Sequence, residues 1–140
     1  MTIPALDWAE QIAVQIQAMP TATHVSEAEL QAALAAHIDG MARAAVTDDP
    51  GVVREVPLSD GHSRIDLMVY PAITGGPFIG VEVKVKGAPA DVFRQLARYA
   101  ECEEVHGLVL VTTSARHLRM PRTFDNGKPL VVATLLEGGL

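Results

Sequence analysis

Two short segments hold the residues best suited to chemistry, Arg64-Ile65-Asp66-Leu67-Met68-Val69 and Val81-Glu82-Val83-Lys84-Val85-Lys86. Successive side chains of an extended chain alternate between faces. Ile65, Leu67 and Val69 then share one face and Asp66 points from the other. Likewise Val81, Val83 and Val85 share a face, with Glu82, Lys84 and Lys86 opposite. If the two segments pair with Asp66 near Glu82 or Lys84, two carboxylates and an ammonium occupy one patch. Like charges opposed on a sheet repel. A hard divalent cation such as Mg²⁺, which takes carboxylate, carbonyl and water oxygens, removes that repulsion. Such a cation polarises a phosphoryl oxygen and acidifies a water, while Lys84 is suited to orient that water and offset charge growing on phosphate. The pattern points to phosphodiester hydrolysis, against the plainer alternative of a solvated strand face carrying a Glu-Lys ladder.

The elements that must position these residues are legible from periodicity. Leu6, Trp8, Ile12, Ile16 and Met19 recur at helical spacing and stop at Pro20, which predicts a helix over about residues 5 to 19. Ser26-Glu27-Ala28-Glu29 has the form of a capping box, and Leu30, Leu34 and Ile38 follow on one stripe until Gly40. After Asp48-Asp49-Pro50-Gly51 come β-branched runs at 52–56, 65–70 and 79–85, read as three successive antiparallel strands. The last two are joined by a Gly- and Pro-rich loop over residues 71–77. Pro89 suits the first position of a helix running to about Glu104, with Val92, Leu96, Tyr99 and Ala100 on its apolar stripe. Leu108 to Val111 is a continuous apolar run, typical of a strand buried on both faces. A short helix is expected after Ser114, and a final strand over about 130–135. The order α, α, β, β, β, α, β with a short tail predicts one α/β domain over residues 1–140, with a mixed sheet flanked by helices.

Composition narrows the function. The single cysteine, Cys102, has no partner thiol, and residues 1–20 hold Asp7 and Glu10 without a Lys, an Arg or a long apolar run. Both features lead us to expect a cytoplasmic protein without signal peptide or membrane span. The net charge of −6 opposes nucleic-acid binding, yet its distribution is uneven. Residues 1–51 carry seven acidic residues against Arg43 alone, whereas residues 52–140 carry ten of each sign. Within the second part, Lys86, Arg94, Arg98, Arg116 and Arg119 are candidate phosphate contacts. Arg116, His117, Arg119 and Arg122 form the densest basic run. A solvated face is the competing reading of that run, and pairing with Glu101 and Glu103 competes for Arg94 and Arg98. His24, His37, His62, His106 and His117 show no ligand spacing, so a zinc site is not expected.

The segments Arg64-Ile65-Asp66-Leu67 and Val81-Glu82-Val83-Lys84 together resemble the PD-(D/E)xK nuclease superfamily. Gln95-x-x-x-Tyr99 on the following helix is similar to the motif of RecB-like members. The resemblance spans about residues 26 to 113. It implies a restriction-endonuclease-like αβββαβ core and a Mg²⁺-dependent deoxyribonuclease, with Mn²⁺ able to substitute. It further implies a metal site of Asp66, Glu82 and the Val83 carbonyl, with Lys84 orienting the attacking water, Gln95 serving catalysis and Tyr99 on the nucleic-acid side. Ser26-Glu27-Ala28-Glu29-Leu30 resembles the helix start of archaeal Holliday-junction resolvases, in which the first of two glutamates joins the metal, so Glu27 is favoured over Glu29. Gly61-x-x-Arg64-x-Asp66 is comparably similar to the N-terminal nuclease segment of type I restriction subunits. Ile65 stands where the family usually has proline, and the basic residues usual in junction resolvases are scarce. DNA is the expected partner, approached by a homodimer whose helix 5–19 serves packing or, through Trp8, association. The rival expectations are a catalytically silent binding module and a subunit of a larger restriction or repair assembly in which another chain supplies DNA affinity.

Overall fold

In the computed structural model, which describes residues 3–19, 26–43, 51–70 and 75–135, two helices precede the sheet. Helix α1 is Ala5–Gln17 and α2 is Glu27–Arg43. The Ser26 hydroxyl oxygen accepts the Glu29 N–H at 3.1 Å, so the expected cap forms. Gly40 does not end α2, which runs on to Arg43. A helical glycine costs only about 1 kcal/mol, too little to break a helix by itself.

The strands are β1 (Val52–Pro57), β2 (Arg64–Val69), β3 (Ile79–Lys84), β4 (Gly107–Thr112) and β5 (Leu130–Thr134), ordered β1-β2-β3-β4-β5. The first three pair antiparallel, and β3, β4 and β5 run parallel. Gly61, with φ of 77°, turns the chain between β1 and β2, where the Asp60 carboxylate accepts the His62 and Ser63 N–H groups. Helix α3, Pro89–Ala100, makes the crossover from β3 to β4 and begins on its proline as expected. It stops four residues short of the predicted end, because residues 101–104 turn toward β4 instead. A short 3-10 helix, Ala115–Arg119, follows β4. Most of the 71–77 loop lies outside the described residues.

Helices α1 and α2 cover one face of the sheet and α3 the other. Trp8, Ile12, Ile16, Leu30, Leu34 and Ile38 pack with Leu67, Val81, Val83, Val109 and Val111. On the far side Val92, Leu96 and Tyr99 pack with Ile65, Met68, Leu108 and Leu110. The α/β architecture with a five-stranded mixed sheet between helices agrees with the expected class. Trp8 corrects an expectation: it is 5 % exposed inside the core, so it offers no surface for association. Leu6, placed on the same stripe, is exposed instead. No helix among the described residues is long and apolar enough to cross a membrane.

The face assignment of β2 also changes. Leu67 and Val69 face α1 and α2, but Ile65 packs with Met68 on the α3 side. Gly80 makes this change of face feasible, because a Cβ there would lie 2.1 Å from Ile65 Cδ1 and 2.9 Å from Leu108 Cδ2. The alternation breaks at Asp66.

Candidate active site

The break at Asp66 is where β2 and β3 part. Their ladder runs from Val69 opposite Ile79 to Leu67 opposite Val81 and ends there. Buried backbone donors must find acceptors, and beyond that point carboxylates provide them. The Asp66 N–H donates to Glu82 Oε1 at 3.1 Å, and the Val83 N–H donates to Asp66 Oδ2 at 2.8 Å. Each carboxylate thereby bridges to the other strand, which brings Asp66 and Glu82 together as the sequence led us to expect.

Three elements hold this pair. From α3, the Tyr99 hydroxyl lies 3.1 Å from Glu82 Oε2 and 3.3 Å from the Arg64 carbonyl, and the Gln95 amide donates to that hydroxyl at 2.7 Å. Gln95 and Tyr99 thus act on Glu82 in series. Tyr99 is 2 % exposed, which removes it from the expected nucleic-acid surface and makes it a support for the glutamate. From β1, Glu55 faces Asp66 between the pairs Arg54–Leu67 and Val56–Ile65, with a left-handed φ of 54° that non-glycine residues rarely adopt. From α2, Gln31 donates to Glu55 Oε1 at 2.8 Å and to the Asp66 carbonyl at 3.3 Å, and accepts from Arg54 at 2.9 Å. Gln31 and Glu55 were not singled out from sequence. Gln31 had a signal, being the polar residue on the Leu30–Leu34–Ile38 stripe, and Glu55 had none.

The pair is short of positive charge. Glu82 is 3 % exposed, and burial, reinforced by the charge of Asp66, raises its pKa to about 8. Asp66 also shifts upward, first through burial, with the charge of Glu55 adding to the rise and the Val83 N–H opposing it. Lys84 Nζ, 3.8 Å from Glu82 Oε2, compensates only part of this. Tyr99 is pushed upward by burial and by Glu82, so its hydroxyl keeps its proton.

The other expected ligands stand nearby. Glu27, at the start of α2, accepts the Val85 N–H at 3.0 Å, one strand position past Lys84. Glu29 is exposed on the first turn. Among the described residues no group of three or more His, Cys, Asp or Glu side chains is close enough to hold a metal by itself. The chemistry of the donors nevertheless fits a hard divalent cation, since Asp66 and Glu82 offer carboxylate oxygens beside each other at the point where the two strands part.

The loop leaving Lys84 is fastened from the far side. His117, expected in an exposed basic strip, is fully buried, with Nε2 2.8 Å from the Gly87 carbonyl and Nδ1 2.6 Å from Thr112 Oγ1. A carbonyl can only accept, so Nε2 donates to Gly87. Lys86, Arg98, Arg116 and Arg119 are exposed as expected. Arg94 pairs with Asp91, not with Glu101 or Glu103. No family model matches the sequence, and no significant match was found among curated proteins or solved structures.

Proposed function

We propose that the chain is a metal-dependent deoxyribonuclease with a restriction-endonuclease-like fold, cleaving phosphodiester bonds at Asp66, Glu82 and Lys84. The observation that carries this reading is the pairing of half-buried Asp66 with buried Glu82 at the splayed end of β2 and β3, with Lys84 Nζ 3.8 Å from the glutamate. Two desolvated carboxylates side by side are costly for folding, and metal binding gives that cost a purpose. Mg²⁺, or Mn²⁺ in its place, supplies Lewis-acid activation of the phosphodiester and a more acidic water when bound.

Asp66, Glu82 and the Val83 carbonyl would hold the ion, with Glu27, whose carboxylate accepts the Val85 N–H, as the acid from the first core helix. Lys84 orients the attacking water and balances charge growing on the phosphoryl oxygens. Tyr99 and Gln95 are positioning residues, fixing Glu82 through its Oε2. The test is cleavage of single-stranded, duplex and branched DNA by the purified protein, with Mn²⁺ and with chelator. Metal-dependent cleavage lost in Asp66→Asn supports the assignment; cleavage retained in that variant overturns it.

A second reading, a silent nuclease-like module that binds nucleic acid or protein, is favoured by one observation. No three-carboxylate group is assembled among the described residues. Thermal melting during a Mn²⁺ titration separates the two, because a ligand bound only by the folded state raises the melting temperature.

A further inference from the structure

At the end of the sheet where Lys84 sits lies a cleft of about 610 Å³ between the first turn of α3 and the 3-10 helix. Its position follows from the strand register. Lys84 pairs with Thr112, and the two cleft walls leave the sheet just beyond those residues, α3 from Pro89 and the 3-10 helix from Ala115. The His117 bond to the Gly87 carbonyl ties the walls together. Phe93, Met120 and Pro89 give the cleft an apolar lining, and Phe93 is braced in a stacked arrangement on Phe124 at 5.2 Å between ring centroids. Arg116 and Arg119 also line it, both exposed, and neither forms an ion pair or hydrogen bond among the described residues.

We infer that this cleft binds a nucleotide of a single-stranded nucleic-acid segment, the base against Phe93 and the flanking phosphates on Arg116 and Arg119. This inference rests on the reading of Asp66, Glu82 and Lys84 as a phosphodiester-cleaving centre, and it specifies the strand form of the substrate. The volume lies within the range of small-molecule sites, about 300 to 1,000 Å³. An aromatic ring beside unpaired cations is the combination that binds unpaired nucleic acid, since every base has a face to stack and every linkage a charge. In a duplex the bases are stacked on their neighbours, and entry into the cleft would require extrusion.

The test measures binding and cleavage separately. Binding of a fluorescein-labelled oligothymidylate, followed by anisotropy in EDTA over a range of salt, is compared among wild type, Phe93→Leu and the double variant Arg116→Ala/Arg119→Ala. Both arginines are on the surface, so the double variant folds, and Phe93→Leu keeps an apolar side chain. Phe93→Leu is expected to weaken binding roughly ten-fold with the salt slope unchanged. The double variant is expected to weaken it and reduce the slope by about 1.4, the value for two phosphate contacts on a single strand. Unchanged affinity in both variants overturns the inference, as does an equal loss on a duplex of the same length. Cleavage of the same oligonucleotide in Mn²⁺ is scored independently. Wild type that cleaves while the variants bind normally sinks the cleft assignment alone. Wild type that binds through the cleft without cleaving sinks the nuclease reading alone.

Discussion

At the residue scale the Asp66–Glu82 pair makes the metal-free protein sensitive to pH in a direction opposite to that of most carboxylates. Glu82 has its pKa raised from 4.5 to about 8. Below pH 4.5 both folded and unfolded chains hold the proton. Between there and about 8 the unfolded chain ionises and the folded one does not, so stability falls as pH rises, by at most about 1.4 kcal/mol per unit. Above that window the loss is complete. The upward shift of Asp66 acts with the same sign. Glu82→Gln should therefore match wild type near pH 5 and exceed it at pH 8 in chelator, read from urea midpoints. Parallel midpoints across that range would show that the pair is not strained. Asp60, whose pKa is lowered to about 2 by its bonds to Ser63, does not titrate in that interval.

The lysine gives a separate test. An ammonium cannot ligate a cation, so Lys84→Ala should keep Mn²⁺ affinity within a few-fold and lose roughly two or more orders of magnitude in single-turnover rate. Lys86, exposed beyond the strand end, should affect DNA binding and its salt slope only. A dead Lys86→Ala alongside an active Lys84→Ala would mean the chemistry sits two residues further along the chain, past the end of β3, and would remove Glu82 from the site.

At the element scale the site depends on two strands separating at one point. Gly80 admits Ile65 to the α3 face, and Gln31 holds the Asp66 carbonyl that pairing would otherwise engage. Gly80→Ala should destabilise by about 1–3 kcal/mol through overpacking against Ile65, and by displacing that residue should slow cleavage as well. Calorimetry and single-turnover rates together check this; a variant with native melting and native rate would show that Ile65 has room to move. The strands, the helix on Pro89 and the Asp66, Glu82, Lys84 set were legible in the sequence because each rests on local periodicity or a short motif. The face change at Ile65, the left-handed Glu55 and the clasp of Gln31 were not, because they arise where a ladder ends, and ladder ends depend on both strands at once. His117 was misread for a related reason: amid arginines it looks solvated, and only the return of the Gly87 loop supplies its buried acceptor.

At the scale of the whole molecule, charge and scaffold are divided between the faces. The acidic first third contributes α1 and α2, while Lys86, Arg98, Arg116 and Arg119 belong to the α3 side or the strand ends beside it. Nucleic acid is therefore expected to approach from the α3 side in spite of the net charge of −6. Helix α1 packs mainly on β5 and β4, and no hydrogen bond to Asp66 or Glu82 comes from it among the described residues. Ile12→Ala, at a fully buried position, should cost about 2–5 kcal/mol of stability and leave the single-turnover rate of the remaining folded protein unchanged. A rate that falls with stability would show that α1 belongs to the catalytic unit.

The burial of Trp8 has an optical consequence. The chain has one tryptophan, and its indole sits 5 % exposed under α1, its N–H without an acceptor among the described residues. Its fluorescence therefore reports a single event, the seating of α1 on the sheet. Native protein should emit at short wavelength, and the spectrum should move to the red as that helix lifts. Because the Phe93 cleft lies between α3 and the 3-10 helix, on the face opposite α1, oligonucleotide titrated into it should leave the emission wavelength where it was. The chain thus carries an intrinsic probe of its scaffold that is blind to its ligand.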